Sequence, residues 1–327
     1  MSQMKSVSEV KALIESGKWL ALAGDESLLS QLPKGNWIGG TIPYFMTEKG
    51  GLQSKDKIFV NVLEGLCEDS NICSYNVATM PRIVADGPEN GYSLIIIPAG
   101  SESHSIYAKQ APNYSGLFLR PIIGWIAGVD LADLGRKKPK VFNGLTGRAL
   151  ESEAVVLHAV LPQDKLVTID IINLFTQGDG DSIVFEEDGF TVKTALINGN
   201  RTSLAKYIAD KEIDTKLPLV ADYNGAMVNL AIQSVDQEVD EVSFYAPVFT
   251  GLEYKIAKPV ENYVEEFEAL VKDTDTDVVF SCNCILNYLY SSLEGKKTGH
   301  FTGPITFGEI AYQLLNQTLT YMIISDR

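Results

Sequence analysis

The chain of 327 residues has only four cysteines and three histidines, too few for the disulfide framework of a secreted domain. It also lacks any uninterrupted apolar run near the ~20 residues that cross a bilayer. The N-terminus, Met1-Ser2-Gln3-Met4-Lys5, has no basic start followed by an apolar core. A cytoplasmic location with reduced thiols is therefore expected. Positive charge is scarce as well: 27 Lys and Arg face 42 Asp and Glu, a formal charge of −15. Like charge repels polyphosphates and anionic lipid alike, so neither nucleic acid nor a membrane is expected as a partner. The glycine fingerprints of P-loop and dinucleotide sites are absent, so nucleotide binding has no support.

What is present reads as an ordinary globular chain, 45% apolar and 21% charged, long enough for one large or two ordinary domains. The basic segment Arg136-Lys137-Lys138-Pro139-Lys140 marks the best boundary, dividing the chain into 1–135 and 136–327. It reads as a solvated linker rather than a docking patch. Before it, helical spacing at 8–16, an apolar strand at 19–23, a cap at Asp25, a brief helix at 26–32 and a strand at 37–45 give a β-α-β cadence. Residues 57–63 form a strand pattern, and 67–76 are polar and irregular. Residues 92–98 suit a strand covered on both faces, and Ser101-Glu102-Ser103 can cap a helix through 110. Glycines 124 and 128 leave 117–129 unassigned.

After the boundary come strand patterns at 141–145, 154–162, 165–173, 182–186, 190–198 and 242–249, with helices at 203–211 and 259–272. Asp164-Lys165 and Asp188-Gly189 sit where hairpin turns belong, which predicts an antiparallel meander. Pro259 suits the first turn of its helix. The fold class is α+β: two mixed or mainly antiparallel β-sheet halves with flanking helices, a pseudo-duplicated sandwich.

The stretch richest in chemistry is 277–327. An apolar run (Val278, Val279, Phe280) ends at Ser281-Cys282-Asn283-Cys284, a helical pattern follows, a glycine-punctuated loop from Gly303 delivers Thr306-Phe307-Gly308-Glu309, and a strand closes at 318–324. A thiol at a helix start gains from amide donors and the positive dipole end, which makes Cys282 and Cys284 candidate nucleophiles. The plainer reading is that they are small buried hydrophobes. Glu309 is either a carboxylate facing a cavity or a cap for a helix at 310–315, and Asn316 a ligand contact or that helix's C-cap. His300 is the histidine expected near enough in space to serve the thiols as a base. Zinc would need Cys67 and Cys73 to join the pair, at a spacing unlike any familiar finger.

Gly39-Gly40-Thr41 and the turn from Asn143 to Arg148 follow strands. Their amides, with the Arg148 guanidinium, are candidates for carboxylate or phosphate contact. Asp179 and Asp181 lack the spaced ligands of a calcium loop and read as a solvated hairpin. Of His104, His158 and His300, His158 lies in an apolar strand and reads as a satisfied core imidazole.

The run from Cys282-Asn283 through Gly303-Pro304 to Phe307-Gly308-Glu309-Ile310, with a weaker echo in Asn36-Trp37-Ile38-Gly39-Gly40-Thr41-Ile42, resembles FIST domains, bacterial sensory domains associated with small-ligand binding. The resemblance implies sensing of an amino acid or related metabolite, with signal transduction through a separate partner protein. The ligand site expected from these turns and the C-terminal loop comprises Gly39, Gly40, Thr41, Arg148, Cys282, Asn283, Gly303, Thr306, Gly308 and Glu309. Some relatives in that family are haem-based gas sensors, but no haem attachment motif occurs here, so no cofactor, haem or zinc, is expected. Two other functions stay open: a cysteine-dependent enzyme using Cys282 or Cys284 with Glu309 or His300 as proton carrier, and an assembly protein with a vestigial pocket.

Overall fold

Ser6 opens the first helix, Val7–Glu15, through a capping box: its hydroxyl accepts from the Glu9 amide, and the Glu9 carboxylate accepts from the Ser6 amide at 2.7 Å. Val10 and Ile14, one turn apart, bury against Leu20, Leu22, Leu29 and Trp37, each worth roughly 1.5–3 kcal/mol in apolar transfer. The computed structural model describes residues 3–223, 226–272, 274 and 277–327. The same serine and aspartate logic starts the next helices. Asp25 accepts from the Ser27 amide ahead of Glu26–Leu29, Ser101 from the His104 amide ahead of Glu102–Gln110, and Ser203 from the Lys206 amide ahead of Leu204–Asp210.

The fold is α+β and dominated by mixed and antiparallel sheets. Two compact units form: Met1–Ile172 with Phe267–Leu314 and Leu319–Arg327, and Asn173–Glu266 with Leu315–Thr318. They do not divide at 135/136. Residues 141–143 pair with 38–40, and Ala154–Val160 lies between Gly91–Pro98 and Asn71–Tyr75, so the basic segment is internal to the first unit.

In the first unit one sheet runs Gln3–Lys5, Ile58–Leu63, Trp19–Gly24, Trp37–Thr41, Val141–Asn143, Arg148–Leu150. Trp19–Gly24 and Trp37–Thr41 are parallel neighbours joined through Glu26–Leu29, the expected β-α-β unit; the strand expected to continue to 45 breaks at Ile42-Pro43 and resumes as Tyr44–Thr47. A second sheet holds Glu309–Ala311, Ile122–Ala127, Gly91–Pro98, Ala154–Val160 and Asn71–Tyr75. Ile122–Ala127 is covered on both faces: Trp125 lies against Gly40 of the first sheet, and the Gly124 carbonyl accepts from the Cys282 thiol on the other. A third sheet runs Lys165–Ile172, Leu319–Asp326, Val278–Cys284, Gly303–Thr306, Tyr44–Thr47, Gly50–Gln53.

The meander expected after 141 does not form. Lys165–Ile172 pairs with the last strand, and Gly189–Val192 with Glu241–Val248, so Asp164-Lys165 and Asp188-Gly189 turn the chain without joining hairpin partners. The hairpin of that region turns instead at Asn198-Gly199, both with positive φ, between Thr194–Ile197 and Asn200–Ser203. In the second unit, one sheet runs Asn200–Ser203, Thr194–Ile197, Ile183–Val184, Glu253–Ile256, Leu219–Tyr223, Ala226–Leu230, and a smaller one Gly189–Val192, Glu241–Val248, Ile232–Asp236. The helix expected at 259–272 begins at Tyr263, with Asn262 accepting from the Glu265 amide, so Pro259 precedes its first turn. No helix among the described residues is long and apolar enough to cross a membrane.

Candidate functional site

In the first unit the carboxyl ends of three strands meet. Gly24 and Thr41 are register partners at the ends of Trp19–Gly24 and Trp37–Thr41, and the Gly128 amide just past Ile122–Ala127 donates to the Thr41 carbonyl at 2.8 Å. The chain leaves these ends at Asp25, at Ile42-Pro43 and at Val129-Asp130, enclosing a cavity of about 310 Å³. A crevice beyond the carboxyl ends of parallel strands is where open α/β sheets place ligands. Ile42, Pro43 and Val129 supply apolar wall; Ser27, Ser30 and Thr41 supply hydroxyls.

Thr41 is the hub of this arrangement. Besides accepting from Gly128, its amide donates to the Lys140 carbonyl and its hydroxyl accepts from the Lys140 amide, both at 2.9 Å. The cavity wall between those two anchor points is the segment 128–140, the stretch the sequence offered as a linker. It curls on itself: the Asp133 amide donates to the Asp130 carbonyl, and the Arg136 and Lys137 amides to the Asp133 carbonyl.

Charge on this wall is paired. Lys55 contacts Asp130 at 2.5 Å and Asp133 at 3.5 Å; Lys137 and Arg136 also reach Asp133, at 3.0 and 3.2 Å. Lys55 holds the Asp130 carboxyl below its ordinary pKa, and Lys137 does the same for Asp133. Gln53 and Tyr44 add hydrogen bonds to Asp130 at 2.8 and 3.3 Å. Across the opening, Lys140 binds Glu26 at 2.6 Å and Glu151 at 3.3 Å, and Lys138 reaches Glu151 at 3.7 Å. With Asp25, five carboxylates here meet five cations, so the rim is electrically balanced in a chain of net charge −15.

Of the residues expected to form the site, only Thr41 lines this cavity. Gly39 and Gly40 lie within a buried strand, and what occupies the space above Gly40 is the Trp125 ring. Arg148 pairs with Asn143, itself opposite Ile38, which puts it at the amino end of the strand whose carboxyl end is Thr41; its exposed guanidinium meets Glu153 at 3.5 Å.

The residues from the C-terminal stretch form a separate, sealed polar cluster. Cys282 is 1% exposed; its thiol donates to the Gly124 carbonyl and lies 3.2 Å from the Thr320 hydroxyl. Burial, with the Glu309 carboxylate nearby, raises the Cys282 pKa, the reverse of the activation expected at a helix start. Cys284 is buried in the same way and precedes a helix, Ile285–Tyr290, of less than two turns. Glu309 is fully buried and receives the Thr306 hydroxyl at 3.4 Å; Thr306 also donates to the Gly308 carbonyl. Asn287 donates to the Asn283 side chain at 2.9 Å. Gly303 closes on the Ser281 carbonyl, where a Cβ has no room. The helix expected at 310–315 is instead strand, Glu309–Ala311 then Gln313–Leu315, broken at Tyr312 with φ of 64°; Glu309 pairs with Trp125 and caps nothing. Asn316 is accordingly no C-cap and donates to the Leu315 carbonyl.

His300 is exposed and stacks on Phe301, so it does not supply the thiols with a base. Cys73 sits opposite Val156 and the Cys67 amide bonds the Val160 carbonyl, four residues or roughly 13 Å further along that strand, so the four thiols do not converge. Among the described residues no three His, Cys, Asp or Glu side chains are grouped to hold a metal. His158 is the satisfied core imidazole its apolar strand implied, 2.7 Å from the Tyr75 hydroxyl and 2.9 Å from that of Ser93. His104 accepts from the Gly100 amide. In the second unit Asp179 reaches Lys258, while Asp181 accepts from Asn198 and Tyr207, so the two aspartates serve different partners.

A family model described as a family of unknown function (DUF6976) matches residues 5–325. The chain belongs to that family. No curated protein matches the chain. Family membership therefore covers both units, and it assigns no activity to either. Apart from Thr41, the cleft was missed at the sequence level because its members are dispersed at 25–30, 41–43 and 128–138; the other signal was Asp25, read only as a cap.

Proposed function

We propose that this protein binds a small polar metabolite in the Thr41 cleft and acts as a sensor that passes occupancy to a separate protein. The observation that carries the reading is the cavity itself: about 310 Å³ at the meeting of three strand ends, with hydroxyls, apolar wall and charges of both signs. A balanced rim favours a zwitterion over a polyanion. An ammonium group has Asp25 and Glu26 as acceptors, and a carboxylate has Lys137 and Lys138 as donors. An amino acid or close relative meets that requirement, in keeping with the sensory role that the resemblance to FIST domains implies. A cytoplasmic setting belongs to the same proposal.

Thermal shift against a panel of amino acids and related zwitterions tests it. A ligand at a hundred times its dissociation constant adds about 2.7 kcal/mol, or about 5–10 °C for a unit of this size. Asp25→Asn, which keeps the cap acceptor, and Lys137→Met remove the shift. A panel that stabilises nothing, or a shift untouched by both variants, sinks the reading.

A further inference from the structure

We propose that residues 128–140 are a strap over the cleft, hinged at both ends on Thr41 and latched by the Asp130 and Asp133 ion pairs, so that releasing the latch opens the cleft. The inference takes the Thr41 cleft as the ligand site and adds how access to it is controlled.

Three observations meet here. First, both ends of the segment are fastened to one residue: Gly128 donates to the Thr41 carbonyl, and Lys140 exchanges two hydrogen bonds with Thr41. A segment whose ends share an anchor can swing without disturbing the strands that flank it, the geometry of an Ω-loop. Second, no residue from 130 to 140 is fully buried, and its internal bonds are short turns, so little apolar burial opposes its release. Gly135, with φ of 76°, sets the turn at its tip. Third, what ties the strap to the body is polar and centred on one spot, with Lys55 on Asp130 and Asp133, Gln53 and Tyr44 on Asp130 and the Leu131 amide on the Tyr44 hydroxyl; away from it Lys138 reaches Glu151 at 3.7 Å. These pairs are partly exposed and therefore yield to salt. Arg136, Lys137 and Lys138 line or flank the cleft from the strap, so a ligand that contacts Lys137 or Lys138 bridges strap to body and holds the strap closed.

The strap carries its own reporter, because Arg136 and Lys137 are exposed trypsin sites, whereas Lys138 is shielded from the protease by Pro139. The experiment is limited trypsin digestion of the whole ligand-free chain, with fragments identified by mass. Cleavage at 136–138 is scored relative to Lys297, exposed elsewhere in the same unit. When opening is fast relative to cutting, the ratio follows the open population. Raising NaCl from about 20 mM to about 500 mM increases the ratio at least about threefold, and Asp130→Asn increases it about fivefold at low salt. Lys55→Met, at an exposed position, gives the same change if Asp130→Asn fails to fold. A ratio indifferent to salt and to both variants, or a first cut outside 136–138, overturns the strap. The digestion contains no metabolite, so its result stands apart from the thermal-shift panel: a dead panel with a salt-sensitive ratio removes the ligand and keeps the hinge.

Discussion

Gly40 offers the sharpest test of how the site region is built. A Cβ placed on Gly40 lies 2.5 Å from Trp125 Cη2, 2.7 Å from Ile96 Cγ2 and 3.0 Å from Trp125 Cζ3. Trp125 and Ile96 are buried and sit in a sheet whose strands are paired on both sides, so neither has a free direction in which to yield. Overpacking of this kind costs about 1–3 kcal/mol, and contacts near 2.5 Å to two rigid neighbours put Gly40→Ala at the upper end. Gly39→Ala meets nothing closer than 3.2 Å and costs less. In a unit of this size about 2 kcal/mol lowers Tm by about 4–8 °C. The assay is chemical denaturation of both single variants and of Gly40→Ala combined with Trp125→Phe. The phenylalanine ring lacks Cη2 and Cζ3, so it makes room for the new methyl and the double variant is more stable than the sum of its parts, by about 1 kcal/mol or more. Strict additivity, or Gly39→Ala costing as much as Gly40→Ala, would refute the reasoning. That outcome would reopen the reading of this glycine pair as amides presented to a ligand.

Thr41→Val keeps the shape but strips the hydroxyl from the Lys140 amide, and it costs about 1–2 kcal/mol by denaturation while Thr41→Ser costs less. His158 is buried neutral with its pKa lowered to about 4, and the half-buried His104 is lowered to about 4 by desolvation as well. Because the unfolded chain takes up these protons near pH 6.5 and the folded chain does so only near 4, stability is full above about 6.5. It falls as pH drops through that window, by at most about 3 kcal/mol per histidine. Urea midpoints between pH 7 and 4.5 check this, and His158→Gln flattens the slope. In native alkylation, Cys67 and Cys73 are modified well before Cys282 and Cys284, and rapid, pH-dependent labelling of Cys282 would revive the thiol enzyme.

The parts legible in the sequence are those whose cause is local. Ser6, Asp25, Ser101 and Ser203 announce helix starts because an N-cap works within three residues, and 91–98 announces a doubly covered strand by its unbroken β-branched run. What was hidden depends on partners far away. Asn71–Tyr75 reads as irregular because an edge strand needs little apolar content, and its register is set by Ala154–Val160. Gly124 masks a strand that requires it, since the Ile95 carbonyl leaves no room for a side chain. The basic run 136–140 looks like a linker by composition, and nothing nearby in sequence reveals that Thr41 anchors it. Cys282 and Glu309 do lie near one another, but no sequence pattern tells whether such a cluster faces a cavity or is sealed within the core.

The strand Leu319–Asp326 lies between Lys165–Ile172 and Val278–Cys284. Its neighbour at 165–172 is translated 147 residues earlier, and at ordinary elongation rates it waits about 7–30 s before its partner exists. During that interval the ribosome holds a nascent chain with an eight-residue β-edge open, and Leu166 and Ile171 stand unprotected on it. Most of the second unit, Asn173–Glu266, is made within the same interval, and Leu315–Thr318 completes it only at the end. Chaperone dependence in recombinant expression, growing as elongation is slowed, is the consequence to look for.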